Sequence, residues 1–349
     1  MKMILHECQL PLCHPFAISR GTTTMQRSLV VELEHEGISG FGEVTENSYY
    51  GYTLESIRSS LANIESFLSQ YIAHSPADLW SEMKDRLQNM FALSALDMAG
   101  HDLHARRQGL QLYESWRLAW KQIPASSYTI GIAPIPKMIR KLQEQPGWDT
   151  YKIKLGTPED IAIVEALRQH TTAAFRVDAN CAWTVKQTME NADALVELGV
   201  EFIEQPLPAN APEADHRELF AKASLPIIAD ENCLEDSDVE KCEGKFHGVN
   251  IKLCKCGGLT PALKMLQEAR SRSMKTMVGC MIESSIGISA AAHLCPLLDY
   301  VDLDGAVLLK QDPAVGVVLK QGEIQLSGRP GSGARLKTRP STSSAAACF

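Results

Sequence analysis

Lys152 and Lys154 stand two residues apart in the segment Tyr151-Lys152-Ile153-Lys154-Leu155. Side chains alternate along a strand, so the two ammonium groups share one face while the apolar residues take the other. Lysine is rarely buried without a partner. This face therefore either meets water or lines a polar site. Downstream, three carboxylates close three apolar, β-rich segments: Asp178 after Phe175-Arg176-Val177, Glu204 after Phe202-Ile203, and Asp230 after Pro226-Ile227-Ile228-Ala229. The step from Asp178 to Glu204 equals the step from Glu204 to Asp230, and each is about one strand-plus-helix unit. Taken singly, each acid fits an ordinary strand-end salt bridge. Three that converge at one rim repel strongly unless a cation sits among them. A hard divalent ion with oxygen ligands suits them, and Mg²⁺ keeps positions open for water and substrate. Lys252, in Val249-Asn250-Ile251-Lys252-Leu253, lies one strand further on. The order around the rim is then lysine, acid, acid, acid, lysine. Lys154 and Lys252 would face each other across the ion, which suits taking a proton from one side of a carbon and returning it from the other. A lysine base must be neutral, and Lys152 beside Lys154, with the cation, pushes its pKa down. Lys255, three residues beyond Lys252, reads as a loop lysine.

The elements that must position these groups are legible in the pattern. From about Ser126 the chain alternates strands and helices, with strands expected at Tyr128–Ile132, 150–155, 174–179, 202–205, 226–230, 248–253, 276–282 and 300–303. Thr157-Pro158-Glu159, Thr184 and Thr260-Pro261 carry helix-opening signals, and Gly199 a closing one. Eight strands with about seven helices between them predict an α/β barrel of the (β/α)8 type, with an active site at the C-terminal ends of its strands. No Gly-x-Gly-x-x-Gly fingerprint supports an open doubly wound sheet. Residues 3–45 instead read as an antiparallel meander turning at Glu36-Gly37. Two polar loops, Ser19–Thr24 and Glu46–Gly51, interrupt or follow it. Helices are expected from Thr53 to Tyr71, with Thr53 as N-cap, and from Phe91 to Arg107, ended by Gly109. The expected organisation is an α+β cap over residues 1–112, a barrel over 113–305, a segment over 306–326 returning to the cap with a hairpin at Gln321-Gly322, and a flexible tail over 327–349 rich in Gly, Ser, Thr, Pro and Ala.

With 45% hydrophobic and 22% charged residues and a net charge of −8, the 349-residue chain is an ordinary globular sequence. Its acidity argues against nucleic acid or an anionic membrane as partner. No apolar run approaches the ~20 residues that span a bilayer. Met1-Lys2-Met3 runs directly into a strand-like segment, without the pattern of a signal peptide. The ten cysteines include no Cys-x-x-Cys pair, and Cys181, Cys254, Cys280 and Cys295 fall in predicted core segments. That pattern suits reduced thiols in the cytoplasm rather than a disulfide framework or a zinc site.

Lys152-Ile153-Lys154, Asp178-Ala179-Asn180, Glu204-Gln205-Pro206, Asp230-Glu231 and Lys252 before Gly257-Gly258 together resemble the enolase superfamily, in its muconate-lactonizing-enzyme-like subgroup. Ala95-Leu96-Asp97-Met98-Ala99 resembles that family's helix joining cap to barrel. The resemblance spans nearly the whole chain. It implies a modified (β/α)7β TIM-type barrel under an α+β capping domain, and a homo-oligomer. It implies one Mg²⁺ held by Asp178, Glu204 and Asp230, with Lys154 and Lys252 as opposed acid and base. Lys152 would lie by the substrate carboxylate.

Val301-Asp302-Leu303-Asp304-Gly305 puts two acids on one face of the last strand. It is similar to the Asp-x-Asp motif of dipeptide epimerases, where the pair holds the substrate's ammonium group. An anionic patch away from the metal binds a cation by charge-assisted hydrogen bonds. A dipeptide carries a carboxylate for one patch and an ammonium for the other. Glu283, near the end of the seventh strand, resembles a family position beside the substrate. Thr129, on the first barrel strand, and Thr23, in the first cap loop, complete the candidate substrate contacts. The resemblance therefore implies epimerisation of a dipeptide, with negative charge gathering on carboxylate oxygens held by the metal and Lys152.

Side-chain preference is expected from the two cap loops. Family members acting on Ala-Glu peptides carry a cation in the first loop where this chain aligns Thr23. Arg20 or Arg27 could stand in for that cation, but a general dipeptide specificity ranks ahead of Ala-Glu; Tyr49, Tyr50 and Tyr52 suit an apolar or aromatic pocket, and Glu46 a cationic side chain. The rival readings are a cycloisomerase or o-succinylbenzoate synthase on the same scaffold, a Schiff-base barrel enzyme, and a barrel that binds dipeptides without turning them over.

Overall fold

A computed structural model describes residues 1–70 and 75–337. The chain opens with an antiparallel sheet, β1 (Lys2–Ile18), β2 (Gly21–His35) and β3 (Ile38–Thr45), paired in the order β1-β2-β3. Glu36 (φ 53°) and Gly37 (φ 79°) make the β2–β3 hairpin, both in the left-handed region that a tight two-residue turn demands. Helices α1 (Leu54–Ala62), α2 (Glu65–Gln70), α3 (Pro76–Lys84), α4 (Met90–Gln108) and α5 (Leu112–Ser115) complete the cap.

Thr53 caps α1 as expected, its hydroxyl accepting from the Ser56 N–H, but the helix stops at Ala62. The single helix expected from Thr53 to Tyr71 is thus two within the described residues, and its end at Tyr71 lies outside them. Helix α3, opened by the Ser75 N-cap, went unread in the sequence. Helix α4 ends at Gly109, which adopts a left-handed conformation (φ 71°). It lies almost against β3: a Cβ at Gly40 or Gly42 would collide with its backbone. That close approach explains why nearly all of α4 is buried and why it shows no clear polar stripe.

The second layer is a parallel barrel. In chain order its elements are β4 (Tyr128–Ile130), α6 (Ile135–Glu144), β5 (Thr150–Lys154), α7 (Asp160–Arg168), β6 (Ala174–Asp178), α8 (Val185–Glu197), β7 (Val200–Glu204) and α9 (Glu213–Lys222). They continue with β8 (Ile227–Ala229), α10 (Asp236–Cys242), β9 (Gly248–Ile251), α11 (Leu253–Cys256), α12 (Leu259–Ser271), β10 (Lys275–Gly279), α13 (Ser285–Ala292) and β11 (Tyr300–Asp302). The strands neighbour one another in sequence order from β4 to β11. A parallel bridge between Ser126 and Val301 closes the ring. Among the described residues no α-helix follows the last barrel strand, which runs into a 3-10 turn at Asp304–Ala306, and this gives the (β/α)7β pattern.

Two helix starts differ from expectation. Helix α7 begins at Asp160 rather than at Thr157-Pro158, because the Asp160 carboxylate takes the N–H groups of Gly156 and Thr157. Helix α12 begins at Leu259 with Gly258 as N-cap, since the Thr260 hydroxyl turns away to Asp97.

Cap and barrel are joined by buried polar contacts. Asp97 of α4 accepts the Thr260 N–H (2.8 Å) and hydroxyl (2.7 Å), and Trp80 Nε1–H donates to the Gly257 carbonyl. Glu43, fully buried at the end of β3, accepts from the N–H groups of Ser284 and Gly287 and so caps α13. Losing one such partner would cost about 1–3 kcal/mol.

Beyond the barrel, β12 (Ala314–Val315), β13 (Val318–Lys320), β14 (Glu323–Gln325) and β15 (Arg335–Leu336) follow. The β13–β14 hairpin turns at Gln321-Gly322 as expected. The chain expected to be flexible from residue 327 is packed as far as 337. Strand β15 pairs with β12, and the Ser332 N–H donates to the buried Asp102 carboxylate at 2.6 Å. A buried carboxylate needs such donors, and no local composition signal reveals them. Residues 338–349 of that tail lie outside the described residues.

Candidate active site

The candidate residues converge where the strands of the barrel end beneath the cap. Lys154 ends β5, Asp178 ends β6, Glu204 ends β7, Asp230 follows β8 and Lys252 follows β9. In an eight-stranded ring β5 and β9 are diametrically opposed, so Lys154 and Lys252 flank the arc of acids from either side. One ligand oxygen from each of Asp178, Glu204 and Asp230 falls within 4.8 Å of the others, and all three acids are buried. Asp302 ends β11, across the ring from Glu204.

The strand ends are held in strained, well-braced backbone. Asn180 (φ 45°), Cys181 (φ 67°) and Gln205 (φ 37°) are left-handed non-glycine residues just beyond two of the acids. The Asn180 N–H donates to Asp178 Oδ1 (2.9 Å). The Gln205 amide oxygen accepts from the N–H groups of Asp230 (3.0 Å) and Asn232 (3.2 Å), which ties the end of β7 to the end of β8.

Each lysine meets an acid. Lys154 Nζ donates to Asp178 Oδ2 at 2.6 Å, and Lys252 Nζ to Asp230 Oδ2 at 2.7 Å. Lys152, with no exposed surface, lies 2.7 Å from Asp302 Oδ2, 2.7 Å from Glu204 Oε2 and 3.4 Å from Asp178 Oδ2. It sits under the site rather than on the cavity wall, held there by the three carboxylates that ring the inner face of β5. Burial alone would depress Lys252, but Asp230 and Glu204 outweigh it and hold its ammonium above the ordinary lysine value. For Lys152 burial is likewise outweighed, by Asp302, Glu204 and Asp178.

The acids fit a divalent cation. Glu204 Oε1 accepts from Asn250 Nδ2 (2.9 Å), but its buried Oε2 makes no aligned hydrogen bond, although Lys152 is close. Burial and the charge of Asp178 push the Glu204 carboxyl up to about 7. Such a group favours one more positive charge, and the all-oxygen donor set suits Mg²⁺.

Above the acids opens a cavity of about 370 Å³. Its floor includes Lys154, Asp230, Lys252, Asp302, Asp304 and Thr129, and its cap side includes Thr22, Thr23, Arg20, Tyr49 and Tyr50. Asp302 is strongly engaged: Lys152 donates to one oxygen, and the Ser127 hydroxyl (2.8 Å) and Thr129 hydroxyl (3.3 Å) to the other. Among the described residues the Asp304 carboxylate meets only Thr129, accepting its N–H at 2.6 Å and sharing with Asp302 the single proton of its hydroxyl, 3.2 Å away. Burial and the charge of Asp302 push the Asp304 carboxyl up to about 7.

Glu283 is buried beside this site but does not line the cavity. Its Oε1 accepts the Met281 N–H, and burial with the nearby Glu43 charge pushes it up to about 8. Sequence reasoning missed Lys255, Asn250 and the pair Arg20–Glu231 (2.7 Å). Arg20 also lies over the Tyr49 ring. The Asp230-Glu231 dipeptide signalled the acid, but nothing local signalled a partner from the other end of the chain.

Residues 135–339 match the enolase C-terminal domain-like family, and residues 2–115 match the mandelate racemase / muconate lactonizing enzyme N-terminal domain. The chain belongs to this family of capped barrels. An L-Ala-D/L-amino acid epimerase of Flavobacterium johnsoniae is 52% identical over 96% of this chain and 100% of its own length. Among solved structures, the substrate-liganded L-Ala-D/L-Glu epimerase from Bacillus subtilis superposes with a TM-score of 0.90 at 27% identity, covering 96% of this chain and 99% of that one. A dipeptide epimerase from Cytophaga hutchinsonii, complexed with Mg and D-Ala-L-Val, gives 0.88 at 26% identity, covering 96% and 95%.

Proposed function

We propose that this chain epimerises dipeptides, inverting the α-carbon next to the C-terminal carboxylate by removing a proton from one face and returning one to the other. The observation that carries this reading is the placement of Lys154 and Lys252 on diametrically opposed strands, either side of three buried carboxylates. Asp178, Glu204 and Asp230 would hold a Mg²⁺ ion, which when bound draws electron density from the substrate carboxylate and makes the neighbouring C–H more acidic.

The remaining work falls to the chain's own residues. Asp304, facing the cavity from the far side of the ring, takes the substrate ammonium, with Asp302 adding negative charge and Thr129 fixing the carboxylate's orientation. With both ends of the dipeptide held, its α-carbon lies between the two Nζ atoms. One lysine accepts the proton as the other, still charged, donates. Lys152 contributes a fixed positive charge beneath the site, where its ties to Asp302, Glu204 and Asp178 keep it. The cap closes over the reacting centre and excludes water, which strengthens every charge interaction inside.

The preferred second side chain is uncharged. Arg20, the cation nearest the first loop's tip, is already neutralised by Glu231, and Arg27 by Glu46 and Glu55. Thr23 offers no charge. The relative from Flavobacterium johnsoniae, by its name not confined to glutamate, supports this breadth. We also place the enzyme in the cytoplasm. The buried Cys233, Cys242, Cys254, Cys256 and Cys295 are free thiols, and no helix among the described residues is long and apolar enough to cross a membrane.

A panel of L,L-dipeptides incubated with the protein and Mg²⁺ in D₂O tests the reading. Deuterium uptake with appearance of the epimer, abolished by a chelator, is expected. No uptake with any dipeptide would refute it.

A further inference from the structure

Lys255 is as deeply buried as the groups that do the chemistry, yet nothing above gives it a task. Its side chain is 1% exposed. Its Nζ lies 2.5 Å from Asp230 Oδ1 and 2.5 Å from the Asp230 carbonyl, with the Asn250 carbonyl 3.4 Å away. Lys252 holds the other oxygen of the same carboxylate, Oδ2, at 2.7 Å. Asp230 is therefore gripped from two sides by lysines three residues apart. The local backbone makes this possible. Lys252 is extended (φ −118°, ψ 126°) and is the N-cap of α11, whose single turn, Leu253–Cys256, brings residue 255 back to the same side. In a continued strand, residues 252 and 255 would face opposite ways.

We infer that Lys255 is a positioning residue: by occupying Oδ1 of Asp230 it fixes the carboxylate plane, so that Oδ2 alone is offered to Lys252 and to a bound cation. This rests on the epimerase reading for its catalytic consequence, though not for its geometry. Two effects follow from elementary electrostatics. Without Lys255, a positive charge next to a metal ligand is gone and Asp230 is free to offer both oxygens, so a divalent cation binds more tightly. At the same time Lys252 loses the fixed partner that orients it, while Lys154, held by Asp178 on the neighbouring strand, keeps its own. A misplacement near 1 Å can cost about 10²-fold in rate.

The test is Lys255→Met, with Lys255→Gln as a second variant should the first not fold. Mn²⁺ affinity is measured calorimetrically on the substrate-free protein, and α-deuterium exchange is followed separately for each epimer of a dipeptide. Expected are Mn²⁺ binding about three- to tenfold tighter than wild type, and a fall of roughly 10–100-fold in exchange of the epimer whose exchange Lys252→Ala abolishes. Exchange of the other epimer should stay within about threefold. Weaker or unchanged Mn²⁺ binding, or equal losses for both epimers, would overturn the inference and leave Lys255 as a packing residue. If wild-type protein exchanges no dipeptide at all, the functional reading fails. The Mn²⁺ comparison then still decides whether Lys255 governs Asp230.

Discussion

The two flanks of the site solve the same problem with different backbone. On one flank Lys152 and Lys154 share a strand, two residues apart, and both face the barrel axis. On the other, Lys252 and Lys255 straddle the corner between a strand and a helical turn. In each pair one lysine reaches the cavity and one lies behind it, fully engaged with carboxylates. The partners differ. Lys152 meets three acids from three strands, so it ties the cation site to the Asp302 region. Among the described residues Lys255 meets one acid only, Asp230, and that acid also holds Lys252. The first rear lysine therefore bears on the whole site, and the second on one side of it.

The largest expected effect strikes both flanks alike. Lys154→Ala or Lys252→Ala should each slow net epimerisation by about 10²–10⁴-fold, the usual worth of a positioned acid or base. Steady-state polarimetry or chiral chromatography would read it. Retention of near-wild-type turnover in either variant would break the symmetry between the flanks.

Next comes the arc between them. Glu204→Gln removes a proposed Mg²⁺ ligand whose Oε2 lacks an aligned partner. Saturating Mg²⁺ should raise the melting temperature of wild type, as any ligand of the native state does, and should raise that of Glu204→Gln far less. Equal Mg²⁺ shifts in the two proteins would move the cation elsewhere.

A smaller effect lies across the ring. Asp304→Asn should raise KM for dipeptides with a free ammonium by about 10–100-fold, the worth of one charge-assisted hydrogen bond, with less change in kcat. The same group sets a pH dependence. Its carboxyl is pushed up to about 7 by burial and Asp302, and only the ionised form attracts an ammonium. Binding is therefore fully present above that value and weakens as pH falls through it, so KM should climb from pH 8 to pH 6. A flat KM over that range would remove Asp304 from ammonium binding.

The smallest concerns the cap. Thr23→Lys adds a cation to the cavity wall and should raise kcat/KM for dipeptides with an acidic second residue up to about fivefold, as an exposed ion pair is worth ~0.2–1 kcal/mol. No gain would place the side-chain pocket away from the first loop.

The flank whose placement was legible in the sequence is the one whose geometry depends only on strand alternation. Lys152, Lys154 and the three acids follow from period two and from an even strand–helix repeat. Lys255 was misread because its direction depends on whether the chain turns after Lys252, and a four-residue helix leaves almost no periodic signal. Arg20–Glu231 was unreadable for another reason: its partners lie 211 positions apart in sequence and meet only when the cap docks. The raised state of Lys252 has a similar origin, since it depends on Asp230 and Glu204, which the fold brings around it. The order of residues 327–337 depends likewise on Asp102, a buried acid on a distant helix. Local repeats were legible; pairings made by docking one layer on the other were not.

The most direct test of the two-flank account is α-proton exchange by single lysine variants. Metal-loaded Lys154→Ala and Lys252→Ala, confirmed as folded, are placed in D₂O with each pure epimer of one accepted dipeptide, and α-deuterium is read by NMR. Each variant is expected to exchange only one epimer, and the two variants opposite ones. Exchange of both epimers by either variant, or loss of the same epimer in both, would contradict it.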